Sequence, residues 1–173
     1  MAEPGRLLLD EQEIAARVEA AAQKLAPMID DETVAVCLLT GGMWYAADLM
    51  RALARLGVHP LFDALWLGSY GDARQASGPV EVRAGLQRDV ARRKVLLIDD
   101  VLDSGFSVLE AKRVVAEAGA EEILITVFAD KPWPTPRALF ADVAAWKAPA
   151  EFLIGYGLDD AGRYRGLPQV RAV

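Results

Sequence analysis

The sequence predicts an α/β protein in which a mostly parallel central sheet is flanked by helices on both faces. Three observations carry that expectation. Strand-like and helix-like segments alternate along most of the chain. The strand segments, among them "TVAVCLL", "KVLLIDD" and "EEILITVFAD", are near-continuous apolar runs, the pattern of strands buried on both faces. The unusual sequences "TGG" (40–42), "DDVLDSG" (99–105) and "ADKPWP" (129–134) each sit where a strand ends. In a parallel sheet those ends lie on one edge, and ligands bind there.

Taken in order, "LLLDEQEIAARVEAAAQKLAPMI" (7–29) places Ile14, Val18, Ala21, Ala22 and Leu25 on one helical face, with Asp10 and Glu13 spaced as a capping box. A buried strand follows at 33–39, broken by the 40–42 turn. Residues 43–57 read as a helix closed by Gly57, and 60–67 as a strand. Residues 68–81 are small, polar and without apolar periodicity, which predicts a long mobile loop of the kind that often serves as a lid. "KVLLIDD" is the expected central strand, 107–118 a helix ending at Gly119, and 121–130 another strand. A short strand is expected near 142–146, and a final strand with irregular structure after 150.

At 173 residues, 53% apolar and 25% charged, the chain is expected to form one globular domain over 1–173. Its net charge of −6 gives no electrostatic support for nucleic-acid or membrane-surface binding. The apolar runs are too short to span a bilayer, and the first residues lack the pattern of a secretory signal, so a cytoplasmic protein is expected. Cys37 is the single cysteine, in an apolar run, and reads as an inert buried thiol. His59 is the single histidine, which disfavours histidine zinc sites and Ser-His-Asp catalysis.

The segment after Ile98 carries the chemistry. Asp99, Asp100 and Asp103 fall within five residues and are followed by Ser104, Gly105, Phe106 and Ser107 at the start of a helix. The free N–H groups there, with the two serine hydroxyls, suit a phosphate. Asp99 and Asp100 would repel that phosphate, so they fit ribose hydroxyls or a metal instead. A capping role for Asp103 or Ser104 would need one such residue, not three acids. No G-x-G-x-x-G or Walker-type loop is present. A phosphoacceptor receiver domain also ends strands in Asp-Asp and Lys-Pro, but more than ninety residues precede this acidic pair, which is the wrong order.

"VLLIDDVLDSGFS" resembles the phosphoribosyl pyrophosphate (PRPP) signature of type I phosphoribosyltransferases. "CLLTGGMWYAADLMRAL", "LWLGSYGD", "VFADKP" and "EFLIGYGLDDAGRYRGLPQV" extend the resemblance to the hypoxanthine-guanine branch, over roughly 33–171. It implies the type I phosphoribosyltransferase fold with a small hood built from both chain ends, partly from 146–173. It implies that Asp99 and Asp100 hold the PRPP ribose and, with Asp159, support Mg²⁺. Asp103 would be the general base near purine N7 and would border the 5′-phosphate loop of Ser104, Gly105, Phe106 and Ser107. Leu39, Thr40, Gly41, Gly42 and Arg165 would bind pyrophosphate, in a loop that often holds a non-proline cis peptide. Lys131 would read the purine 6-oxo group, with Phe152 stacking, Leu153 contributing backbone contacts and Asp159 nearby. Ser69 and Tyr70 would ride on the flexible loop. Members of the branch commonly carry lysine at the position of Thr40 and a basic residue at that of Phe106.

The implied activity is purine salvage: transfer of the phosphoribosyl group from PRPP to hypoxanthine or guanine, by a homodimer or homotetramer. The alternatives are a nucleotide-sensing regulatory protein on the same fold, or a transferase for another acceptor such as xanthine or a pyrimidine.

Overall fold

The computed structural model describes residues 4–69, 80–135 and 137–173. Strand β1 (Arg6–Leu9) leads into α1 (Glu11–Leu25). The predicted capping box is formed: Asp10 Oδ1 accepts the Glu13 N–H at 2.8 Å, and Glu13 Oε2 accepts the Asp10 N–H at 2.9 Å. Such a cap stabilises a helix start by about 1 kcal/mol. Then come β2 (Val34–Leu39), α2 (Met43–Arg55), β3 (Leu61–Ser69), β4 (Val80–Ala84), β5 (Lys94–Leu102), α3 (Phe106–Glu117), β6 (Glu122–Asp130) and β7 (Val143–Lys147). The short strands β8 (Leu153–Ile154) and β9 (Val170–Ala172) close the series.

Six strands form the main sheet in the order β4-β3-β2-β5-β6-β7, all parallel except the antiparallel edge pair β3 and β4. Alternate side chains feed two cores, as the two-residue period of a strand demands. Ala35, Cys37, Leu96, Ile98 and Phe128 pack toward α1 and α2. Val34, Val36, Val95, Leu97 and Val127 pack toward α3. In the first core Phe128 lies 5.9 Å from Tyr45, 6.2 Å from Trp146 and 4.7 Å from Tyr156, in tilted pairs worth about 0.5–1.5 kcal/mol each beyond their burial. The buried Tyr45 hydroxyl is satisfied by Thr126 Oγ1 at 2.8 Å. Cys37 is buried, and burial pushes its thiol up to about 12, as an inert cysteine requires.

Three expectations shift. The 6–9 segment is a strand rather than an approach to the helix, and it pairs antiparallel with β9 in a second sheet of order β1-β9-β8. That sheet is the hood, whereas Trp146 and Lys147 belong to the main sheet. Strand structure runs to Ser69 and resumes at Val80, so both ends of the expected 68–81 loop are strand, while residues 70–79, Tyr70 among them, lie outside the described residues. The third concerns Asp99 and Asp100. They lie on the strand as expected, but β5 does not end with them: it continues through Val101 to Leu102 beside β6.

Candidate active site

The β2–β5 pairing stops at Cys37 and Ile98, where β2 turns away and β5 runs on with only β6 beside it. From β2 the chain order proceeds outward to β3 on one side, and β5 lies on the other, so this gap is the topological switch point of the sheet. Asp99 and Asp100 occupy the β5 segment that borders it. Two adjoining cavities, of about 310 and 140 Å³, lie there and share Asp100, Val101, Asp103 and Asp159.

Leu38, Leu39 and Gly41 line the larger cavity, with Thr40 and Gly42 in the same turn but outside its lining. The Leu39–Thr40 peptide is cis, as the resemblance implies. A Cβ on Gly41 would stand 1.9 Å from Asp100 Oδ2, so only glycine lets this turn lie on the carboxylate. The Gly42 N–H is engaged with Leu38 O at 3.2 Å, which leaves the N–H groups of Thr40 and Gly41 as the turn's remaining donors. Above it, Gly157 has φ +95° and a Cβ there would sit 2.3 Å from Gly41 O. Gly157→Ala is therefore expected to destabilise the fold by about 2–4 kcal/mol in urea unfolding, from backbone strain plus overpacking. A loss under about 0.5 kcal/mol would mean that the hood segment relaxes freely.

Ser104, Gly105, Phe106 and Ser107 line the same cavity at the start of α3. Gly105 is the N-cap residue and no side chain caps this helix, so neither Asp103 nor Ser104 performs the capping role weighed from the sequence. The first-turn N–H groups face a ligand site without an internal acceptor. Phe106 is half-exposed on that first turn.

Arg165 enters from the hood. Its Nη2 pairs with Asp159 Oδ1 at 2.7 Å, its Nη1 donates to Gly157 O and lies 4.0 Å from Asp100 Oδ2. The ion pair with Asp159 lies within the larger cavity, which both residues line. Asp159 Oδ2 also accepts the Gly162 N–H at 2.6 Å. Burial pushes the Asp99 carboxyl well above the usual carboxylate range, and the adjacent Asp100 charge adds to it. Burial raises Asp100 as well, against the opposing pull of its hydrogen bond with Asp99 and of the Arg165 charge. Two partly buried acids under-compensated by one guanidinium call for a cation or for hydroxyl donors. Among the described residues no three such ligands form a ready-made cage. Hard oxygen donors of this kind fit Mg²⁺, which takes one or two carboxylates and fills its shell from substrate phosphates.

The smaller cavity holds Lys131, Phe152, Leu153 and Leu158. The Lys131 side chain is 15% exposed and its Nζ lies 3.3 Å from Asp103 Oδ2. Phe152 is 52% exposed, so its ring is not part of the core. Phe152 O accepts the Val173 N–H at 3.0 Å, so the next pair in register, Leu153 with Ala172, is a non-hydrogen-bonded one. Because β8 is an edge strand, the Leu153 N–H and C=O point to the open side. Sequence reasoning missed two connections at the site: the contact of Gly157 with Gly41, and a 2.8 Å hydrogen bond from the Tyr156 hydroxyl to Asp48 that ties the hood to α2. Neither has a local signature. Ser69 ends β3 at the rim of the described chain, and Leu67, two residues earlier, lines the larger cavity.

A family model described as "Phosphoribosyl transferase domain" matches residues 7–161. The hypoxanthine-guanine phosphoribosyltransferase of Aquifex aeolicus is 32% identical over 170 residues, covering 97% of this chain and 94% of that protein. That of Bacillus subtilis is 31% identical over 166 residues, covering 95% and 91%. A crystal structure of a hypoxanthine phosphoribosyltransferase from Staphylococcus aureus superposes with a TM-score of 0.87 at 25% identity, covering 97% of this chain and 90% of that one.

Proposed function

The chain belongs to the phosphoribosyltransferase family, and on that premise we propose that it transfers the 5-phosphoribosyl group of PRPP to hypoxanthine or guanine, giving IMP or GMP and pyrophosphate. The observation that carries the reading is the place of Asp103. It stands where a cavity suited to a sugar phosphate meets a smaller one lined by a donor-only lysine and an exposed aromatic ring.

In this reading the α3 amides with Ser104 and Ser107 hold the 5′-phosphate. The partly buried Asp99 and Asp100 accept hydrogen bonds from the ribose hydroxyls, donors that offset the desolvation of the two carboxylates. The Thr40 and Gly41 amides and Arg165 receive the pyrophosphate, whose negative charge grows as its bond to ribose C1 breaks. Arg165 then exchanges part of its pairing with Asp159 for the leaving group. On the other side Phe152 stacks on the purine, Leu153 offers its open-edge N–H and C=O, and Lys131 donates to the 6-oxo group. Asp103 takes the N7 proton as N9 attacks C1. Asp159, Asp99 and Asp100 would hold Mg²⁺, which when bound neutralises pyrophosphate charge. The flexible loop expected from the sequence at 68–81, with Ser69 and Tyr70, is assigned to excluding water from the ribosyl centre.

A homodimer or homotetramer and a cytoplasmic location complete the proposal. Support for assembly comes from Phe62 and Trp66, exposed on one face of β3, and Met43 beside them. No helix among the described residues is long and apolar enough to cross a membrane. The test is direct: with PRPP and Mg²⁺, hypoxanthine and guanine should each elicit pyrophosphate release. Silence with every nucleobase would sink the enzyme reading, and release only with xanthine or a pyrimidine would redirect it to another acceptor.

A further inference from the structure

We infer that Arg137 is a positioning residue for purine recognition, its guanidinium fixing the separation between the backbones that carry Asp103 and Lys131. The inference rests on the purine reading of the smaller cavity.

Arg137 lies in the proline-rich connection between β6 and β7, yet its side chain is only 10% exposed. Nη1 donates to Leu102 O at 3.1 Å, and Nη2 donates to Lys131 O at 3.0 Å and to Asp130 Oδ1 at 2.7 Å. Leu102 immediately precedes Asp103, and its carbonyl also accepts the Lys131 N–H at 3.1 Å. Lys131 is therefore held at both its N–H and its C=O. The 3.3 Å contact between Lys131 Nζ and Asp103 Oδ2 closes the ring of interactions from the side-chain end.

The position matters because β5 is thinly supported there. Past Ile98 it has lost β2, and past Leu102 the β6 ladder ends as well. Arg137 supplies the tie that a further strand would have supplied. Its own orientation is set by the buried Asp130, whose second oxygen pairs with Lys147. Burial alone would raise the Asp130 carboxyl, but the hydrogen bonds from Lys147 and Arg137 outweigh it and hold the group lowered, so the anchor stays charged. A planar guanidinium can reach three acceptors at fixed angles; a lysine ammonium keeps the charge but not the fork.

Purine N7 and the 6-oxo group lie on the same edge of the base, so Asp103 and Lys131 must meet them at a fixed spacing. A misplacement of about 1 Å in such a pair costs about 10²-fold in rate. PRPP is held by other elements, namely α3, β5 at Asp99 and Asp100, and the 40–42 turn.

Two variants test this: Arg137→Lys, and the double variant Arg137→Met with Asp130→Asn, which leaves no unpaired buried carboxylate. In each, kcat/KM for hypoxanthine should fall about 10²-fold with KM for the base raised, and the preference for hypoxanthine over adenine should shrink. The Kd for PRPP should stay within about threefold of wild type, which a general loosening of the fold would not allow. Unchanged base KM and selectivity in either folded variant would overturn the inference, as would parallel weakening of PRPP and base. Loss of cooperative unfolding in both variants would also overturn it, by assigning Arg137 to the fold alone. Wild type run alongside separates the two readings: if it refuses 6-oxopurines, the purine assignment fails and this inference falls with it. An active wild type with indifferent variants defeats only the inference.

Discussion

Adenine should be used about 10⁴-fold less efficiently than hypoxanthine, measured as kcat/KM at saturating PRPP. The physical cause is a mismatch of donors. A 6-oxopurine offers an acceptor at position 6, whereas adenine offers an amino group. Lys131, when charged, has three donors and no acceptor. Its side chain is 15% exposed, so little water is present to absorb the conflict. Sites built around one buried hydrogen bond reject a partner that cannot make it by about 10⁴-fold. Phe152 cannot rescue adenine, because stacking does not distinguish purines. Lys131→Met should accordingly erode hypoxanthine use far more than PRPP binding. Adenine turnover within tenfold of hypoxanthine would show that Lys131 does not read position 6.

The second large effect is expected at Asp103. Asp103→Asn should lower turnover about 10²-fold or more while PRPP binding survives, since a general base acts in the transition state and contributes about 10²–10⁴ in rate. The 3.3 Å contact with Lys131 adds a complication that can be separated. Removing the carboxylate also frees the Lys131 ammonium, and that portion should surface in the KM for the base. The lost proton acceptor should persist in the single-turnover rate with both substrates saturating. Asp99→Asn or Asp100→Asn should instead damage PRPP binding. Full single-turnover activity in Asp103→Asn would remove that residue from the base role.

Much of this was legible in the residues themselves, and the reason is locality. A strand buried on both faces must be apolar throughout, so β2, β5 and β6 announce themselves, and their order relative to the helices makes the sheet parallel. The capping box of α1 and the acidic segment before α3 are likewise contiguous in sequence. What stayed hidden depends on distant pairing. The four residues of β1 carry no strand signal of their own; they become a strand because β9, more than 160 residues away, lies beside them. The extent of β5 past Asp100 was obscured because Asp99 and Asp100 break the apolar run while the β6 ladder continues to Leu102. Arg137 was invisible among prolines: its acceptors are two carbonyls and a carboxylate on two strands. The close approach of Gly157 to Gly41 could be read only once both loops were placed.

The pairing of β8 with β9 has a bearing on how the protein is handled. Phe152 O receives the Val173 N–H at 3.0 Å, so Val173 lies beside the residue whose ring is assigned to the base. Arg6 stands opposite Ala172 on the other edge of the same strand, which brings β1 to the same patch. A fluorophore or a tether to a sensor chip attached at Arg6 or Val173 would therefore crowd the purine mouth rather than the sugar-phosphate cavity. Attachment on the outer face of α3, for instance at the exposed Lys112, keeps such a load on the far side of the sheet from the hood.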